Sequence, residues 1–168
     1  AMEFHGMLPV HDRPEATEGY EGFSHLCAMQ GEVELATLEY IIRDHDRASF
    51  EARKALFESA AAFLNAKYGA GTVEVALRDS YYNMREKIEP HMAIVEAAQQ
   101  AMRDAGVTPR VVPIRGGTDG ARLSYEGLPC PNLFTGGENY HGRFEYVPVE
   151  DMEAAVRTLK CILRNAAK

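Results

Sequence analysis

Apolar positions follow two different periods in the first half of the chain. Leu38, Tyr40 and Ile42 alternate with Glu39, Ile41 and Arg43, a period of two that predicts a strand with one covered face and one reachable face. Phe23 to Gln30 reads as another strand and meets the run Glu32 to Asp44 at Gly31, so the two predict an antiparallel hairpin with Arg43 directed away from the Tyr40 face. Phe50, Phe57, Ala61, Leu64 and Tyr68 then fall on one helical stripe. Asp46 or Ser49 can cap that helix, and Gly69 and Gly71 stop it. Val73, Val75 and Leu77 alternate with Glu74, Ala76 and Arg78, which predicts a third strand. Ala1 to Leu8 reads as the last turns of a helix that begins upstream, and residues 9 to 22 as a loop. Residues 1 to about 83 therefore read helix, strand, strand, helix, strand, a ferredoxin-like βαββαβ layer without its first strand. A missing strand leaves backbone groups unpaired, so a truncation or a partner that fills the gap is expected.

A second unit begins near residue 85. Pro90 opens a helix that carries Met92, Val95, Ala98 and Met102 to a stop at Gly106. A strand over 110–114, a Gly-rich turn with a short helix over 116–126, a strand over 131–134, a loop and a helix from Val149 to Asn165 follow. Strands alternating with helices predict part of an α/β layer, although two strands do not close one. The expected fold is thus mixed, α/β (α+β), with units over residues 1–84 and 85–168. No internal repeat or low-complexity segment interrupts it.

Composition narrows the function. The chain has 168 residues, 46% of them apolar, which is enough for a packed core. Lys and Arg number 18 against 25 Asp and Glu, a net charge of −7 that argues against a dedicated binder of nucleic acid or of anionic membranes. The three cysteines, Cys27, Cys130 and Cys161, form no CxxC pair, which fits a reducing compartment and a cytoplasmic location. No apolar run approaches the ~20 residues of a membrane span.

Three stretches could carry chemistry. In Ile114-Arg115-Gly116-Gly117-Thr118-Asp119-Gly120 the glycines permit close backbone approach, Thr118 can cap a helix and Arg115 offers a two-pronged fork suited to a carboxylate. The same string also reads as a turn, a cap and a surface arginine, and it is not a nucleotide-binding motif. Asn132 to Glu145 leaves a strand for a polar, Gly-bearing loop. There His141, with Glu145 four residues on, can ligate a metal or simply face solvent. The other histidines show no ligand spacing, and no complete zinc site can be drawn. In Tyr40 to Asp46, Arg43 leaves a strand among acids, either as a ligand group or in a surface salt bridge. Ser80, Ser124 and the cysteines have no nucleophile-elbow setting.

Longer strings are more specific. IRGGTDGARLSYEGLPCPNLFTGGENYHGRFEYV, LPVHDRPEATEGYEGF, YIIRDHD and RDSYYNMREKIEPH together resemble the C-terminal part of the tripeptide aminopeptidases of the M20 zinc metallopeptidase family, from Ala1 to Lys168. The resemblance implies a partial βαββαβ lid, which also mediates homodimerisation, joined to the closing part of a two-zinc α/β catalytic domain. It implies that His141 is the last zinc ligand and that Arg43 meets the carboxylate of a short peptide. It also places Arg115, Asp119 and Asn139 in substrate-side segments. The implied reaction is hydrolysis of the N-terminal bond of a tripeptide by a water held between two zinc ions, with a carboxylate base. The family's other four zinc ligands and its base have no counterpart here, so at most one ligand comes from this chain, and alone it is expected to be inactive. Alternatives are another M20 peptidase or deacylase activity, and a noncatalytic dimerisation module.

Overall fold

The computed structural model describes residues 1–167 and divides them into two units, Ala1–Asn83 with Pro113–Gly116, and Met84–Val112 with the chain from Gly117 onward. The first unit runs helix α1 (Met2–Met7), two single 3-10 turns, strands β1 (Phe23–Gly31) and β2 (Ala36–Arg43), and helix α2 (Arg47–Tyr68). The strands pair antiparallel from Phe23 opposite Arg43 to Gly31 opposite Ala36. Cys27 is an extra residue between Leu26 and Ala28, a bulge that shifts the phase of β1 against β2. The connection occupies residues 32–35, where the Glu32 N–H donates to the Leu35 carbonyl at 2.7 Å, rather than a turn at Gly31.

Asp46, not Ser49, caps α2: its carboxylate accepts the Ser49 N–H at 2.8 Å. That donor holds the carboxyl below its ordinary range. The predicted stripe is the buried one, with Phe57, Ala60, Ala61 and Leu64 packed against Phe4 and Leu8. Its two end members lie off this core: Phe50 is half-buried with its ring edge-on to Tyr82 at 6.0 Å, and Tyr68 is exposed and donates to Glu3 at 2.7 Å. Tyr40 brings the reachable hairpin onto this core, its ring edge-on to Phe57 at 5.0 Å. Burial raises the Tyr40 phenol above its usual pKa. Its hydroxyl lies 2.8 Å from His5 Nδ1.

Among the described residues the sheet has two strands. The third strand expected over 73–77 keeps its alternation, with Val73 and Val75 half-buried on the core, but no strand runs beside it. Asn65 stands in for one: its carboxamide accepts the Val73 N–H at 2.8 Å and donates to the Val73 carbonyl at 2.9 Å. Alternation reports which face is covered and says nothing of a hydrogen-bonding neighbour. The strands expected over 110–114 and 131–134 likewise lie in no ladder.

The second unit holds helices α3 (Arg85–Ile88), α4 (Met92–Asp104), α5 (Asp119–Tyr125) and α6 (Val149–Ala166). A 3-10 turn over Glu89–His91 separates α3 from α4, so Pro90 precedes α4 by a turn instead of opening it. Gly106, at φ 79°, ends α4, with its N–H on Arg103 O at 3.0 Å and the Val107 N–H on Met102 O at 2.8 Å, the paired bonds of a left-handed C-terminal cap. Helices α4 and α6 pack together through Ala101, which is fully buried, and Thr158. Asn165 joins them, donating to Asp104 at 2.9 Å. No helix among the described residues is long and apolar enough to cross a membrane.

Candidate functional site

His141 sits in a loop whose backbone is closed on itself. Glu138 and Tyr146 form an antiparallel bridge, with N–H to carbonyl distances of 2.9 and 3.2 Å, and seven residues lie between them. Within that lariat Asn139 (φ 56°) and His141 (φ 60°) both take the left-handed conformation, which non-glycine residues seldom adopt. The Asn139 carbonyl accepts the Gly142 N–H at 2.9 Å, and a side chain at Gly142 would meet that carbonyl at 2.7 Å. Glu145 acts on His141, though on its backbone: the carboxylate accepts the His141 N–H at 3.0 Å. The ring itself is exposed and has no hydrogen-bond partner among the described residues, so both ring nitrogens remain available. Strain of this kind is maintained by the surrounding bonds and is commonest at functional positions.

Arg43 ends β2 half-buried, and its guanidinium Nη1 donates to the Tyr81 hydroxyl at 3.2 Å. The surface salt bridge that its acidic neighbours suggest does not form. Asp44 is taken by Arg53 at 2.9 Å, and Asp46 by the cap of α2. Arg43 therefore meets no carboxylate among the described residues. Among the described residues its hydrogen bond goes to the Tyr81 hydroxyl.

Arg115 is already engaged. Its Nη1 donates to the Thr17 carbonyl, its Nη2 to the Thr17 hydroxyl at 2.5 Å, and its plane lies 4.9 Å from the centre of the Phe23 ring. The fork expected to wait for a ligand instead holds the loop before β1. Thr118 caps α5 as expected, through a long 3.4 Å bond from the Ala121 N–H. Asp119 stands exposed at the first position of that helix.

Ser124 carries no nucleophilic setting and proves to be a clamp. It is 2% exposed, donates to the Gly120 carbonyl at 2.7 Å and accepts the Cys130 N–H at 2.9 Å. Gly120 lets the chain at Cys130 come close, since a Cβ there would lie 2.5 Å from the Cys130 carbonyl. These contacts fix the start of α5 against residues 130–132, and no local sequence signal announces them. Among the described residues no three His, Cys, Asp or Glu side chains gather into a metal-binding group, so His141 fits a metal as one donor of a larger shell only.

Comparison with known proteins follows the same lines. The family model of peptidase family M20/M25/M40 matches residues 7–165. Proteins named Peptidase T from Shouchella clausii, Exiguobacterium sibiricum and Clostridium perfringens are 59%, 55% and 57% identical over the whole chain. The chain spans 41% of the length of each of these curated relatives. A crystal structure of a tripeptidase from Staphylococcus aureus superposes on 93% of the chain with a TM-score of 0.65 at 22% identity, and the match covers 42% of that protein. By the family match over nearly its entire length, the chain belongs to peptidase family M20/M25/M40.

Proposed function

We propose that this chain works as part of a zinc-dependent aminopeptidase that releases the N-terminal residue from tripeptides. The observation that carries the reading is the His141 turn, where a strained, internally bonded loop presents an imidazole with neither nitrogen occupied. The names of its relatives, Peptidase T, and of the structural neighbour, a tripeptidase, support the reaction class. A zinc pair, when bound, supplies a water of lowered pKa and polarisation of the scissile carbonyl. In this reading His141 donates one ring nitrogen to it, and its other ligands lie on M20 sequence that this chain does not include.

The remaining residues bind and orient the peptide. Arg43 offers a guanidinium bonded, among the described residues, to the Tyr81 hydroxyl alone, so a terminal carboxylate can take its second edge without displacing an ion pair. Asn139 and Asp119 offer exposed polar groups to the peptide backbone and its ammonium. Arg115 contributes as a positioning residue, since its anchorage to Thr17 fixes the chain that leads into Gly116–Asp119. We place self-association in the unit of residues 1–84 and the protein in the cytoplasm.

The test uses a chimera in which this chain replaces the matching stretch of the Shouchella clausii relative. With added zinc the chimera should cleave an unblocked tripeptide and spare the corresponding dipeptide, the N-acetylated tripeptide and N-acyl amino acids. The 168-residue chain alone should cleave none of them. Cleavage of N-acyl amino acids in preference would assign another M20 activity, and cleavage by the chain alone would require a metal site built from its own residues.

A further inference from the structure

Helix α6 is apolar on more of its surface than its neighbours cover. Ala154, Ala155, Thr158, Cys161 and Ile162 are buried or half-buried on the side that packs with α4. Glu150, Glu153, Arg157, Lys160 and Arg164 make a second, charged sector, with Arg157 and Glu153 3.9 Å apart. Between them runs a third sector of Val149, Met152, Val156, Leu159 and Leu163, and these side chains are 44% to 71% exposed. Their spacing of three and four residues keeps all five on one line about 21 Å long at 1.5 Å per residue. A shallow groove opens along its first half, over Val149, Met152 and Val156 and edged by Glu153 and Arg157. Single exposed apolar residues are ordinary, whereas five in one line mark a surface made to be covered. A helix with two apolar sectors and one charged sector belongs between two layers with its charged edge in water. In the same unit Val111 and Val112, on extended chain without a ladder, are 71% and 62% exposed.

The lengths of the relatives indicate the occupant. Proteins 54% to 59% identical to this chain over essentially all of it carry more than as much sequence again beyond the match. The tripeptidase that superposes on 93% of the chain has more than half of its own residues outside the superposition. We infer that the Val149–Leu163 stripe is the seam on which that further part of an M20 peptidase packs. The inference rests on the reading that this chain works within a larger M20 enzyme, and it is independent of which peptide is cut.

Thiol accessibility tests the seam directly. Leu159→Cys and, separately, Glu150→Cys are made in the 168-residue chain and in the chimera, labelled with a maleimide, and the labelled peptide located by mass spectrometry, which separates it from Cys27, Cys130 and Cys161. Leu159→Cys should label readily in the chain alone and at least tenfold more slowly in the chimera. Glu150→Cys, on the charged sector and outside the groove, should label alike in both. Leu163→Cys repeats the measurement if Leu159→Cys perturbs the helix by far-UV circular dichroism. Equal labelling at the stripe in the two contexts overturns the inference. So does protection in the chain alone together with a dimer mass by light scattering, which assigns the stripe to a second copy, and so does a chimera that cannot fold with these residues at the junction. Hydrolysis is read separately: protection without tripeptide cleavage leaves the seam standing and removes the tripeptidase reading, and cleavage without protection does the reverse.

Discussion

Gly120→Ala sets two effects of opposite sign against each other, and the structure decides between them. Gly120 lies in the first turn of α5 with φ outside the left-handed region, so alanine gains up to about 1 kcal/mol of helix preference. Its Cβ, however, would stand 2.5 Å from the Cys130 carbonyl oxygen and 3.0 Å from Asn132 Oδ1. Asn132 is a side chain and can swing. The Cys130 carbonyl is backbone, held by the Ser124 clamp at the adjacent N–H, and must retreat by about 0.9 Å to reach an ordinary van der Waals distance of about 3.4 Å. Forcing a methyl into a tight contact costs about 1–3 kcal/mol, and the retreat also stretches the Ser124 bonds. The expected net effect is a destabilisation of about 1–2 kcal/mol, several degrees in the thermal midpoint followed by far-UV circular dichroism. Amides of residues 120–130 should show the largest gain in hydrogen exchange. A midpoint equal to or above that of the parent chain would mean that the approach of Cys130 to α5 is not tight, and the account of how the Gly-rich turn is positioned would fail.

Three further outcomes follow from the same geometry. Ser124→Ala leaves the half-buried Cys130 N–H without its acceptor and should cost about 0.5–1.5 kcal/mol by urea unfolding, where Ser124→Thr should cost less if the hydroxyl keeps both partners. Arg43→Ala in the chimera removes a charge-assisted bond of about 1.5–3 kcal/mol, so kcat/KM for a free tripeptide should fall about 10- to 100-fold while that for its C-terminal amide stays level; equal losses on both would remove Arg43 from carboxylate recognition. Acid should loosen the first unit. Glu3, held down by Lys67 and Tyr68, Asp46, held down by the Ser49 N–H, and Asp79, held down by Lys54 and Tyr82, all have carboxyls below their usual pKa. A depressed folded pKa lends stability that is complete above the unfolded value of about 4 and is lost as pH falls through the folded one, so the thermal midpoint should drop as pH falls below about 4. Glu3→Gln with Asp79→Asn should flatten that drop, and an unchanged slope would show that these contacts do not form in solution.

The elements that read correctly from sequence are those whose signals are local. Helix α2 declares itself through a five-residue apolar stripe, a capping aspartate and two terminal glycines and arises where expected, while β2, announced by alternation, occupies only the later part of its expected run, Ala36–Arg43. Residues 73–77 carry the same alternation and make no ladder, because a strand also needs a neighbour, and the Asn65 carboxamide takes the place of one at Val73 alone. The site divides in the same way. Arg43 is visible in the sequence as an arginine at the end of a predicted strand, and His141 as a histidine in a polar, Gly-bearing loop. The engagement of Arg115 is not, since its partner Thr17 lies 98 positions away and nothing between them marks the pairing. The α6 helix is equally legible as a helix, yet its uncovered third sector emerges only when the side chains facing α4 are known.

The central claim is that this chain brings a metal ligand, His141, to an M20 tripeptidase, and metal content measures it most directly. Zinc bound by the purified chimera, determined by elemental mass spectrometry, is compared with that bound by its His141→Ala variant, alongside hydrolysis of an unblocked tripeptide. The account predicts that the variant keeps its fold, binds less zinc than the parent and loses tripeptide cleavage. Full zinc stoichiometry with undiminished cleavage in His141→Ala would contradict it.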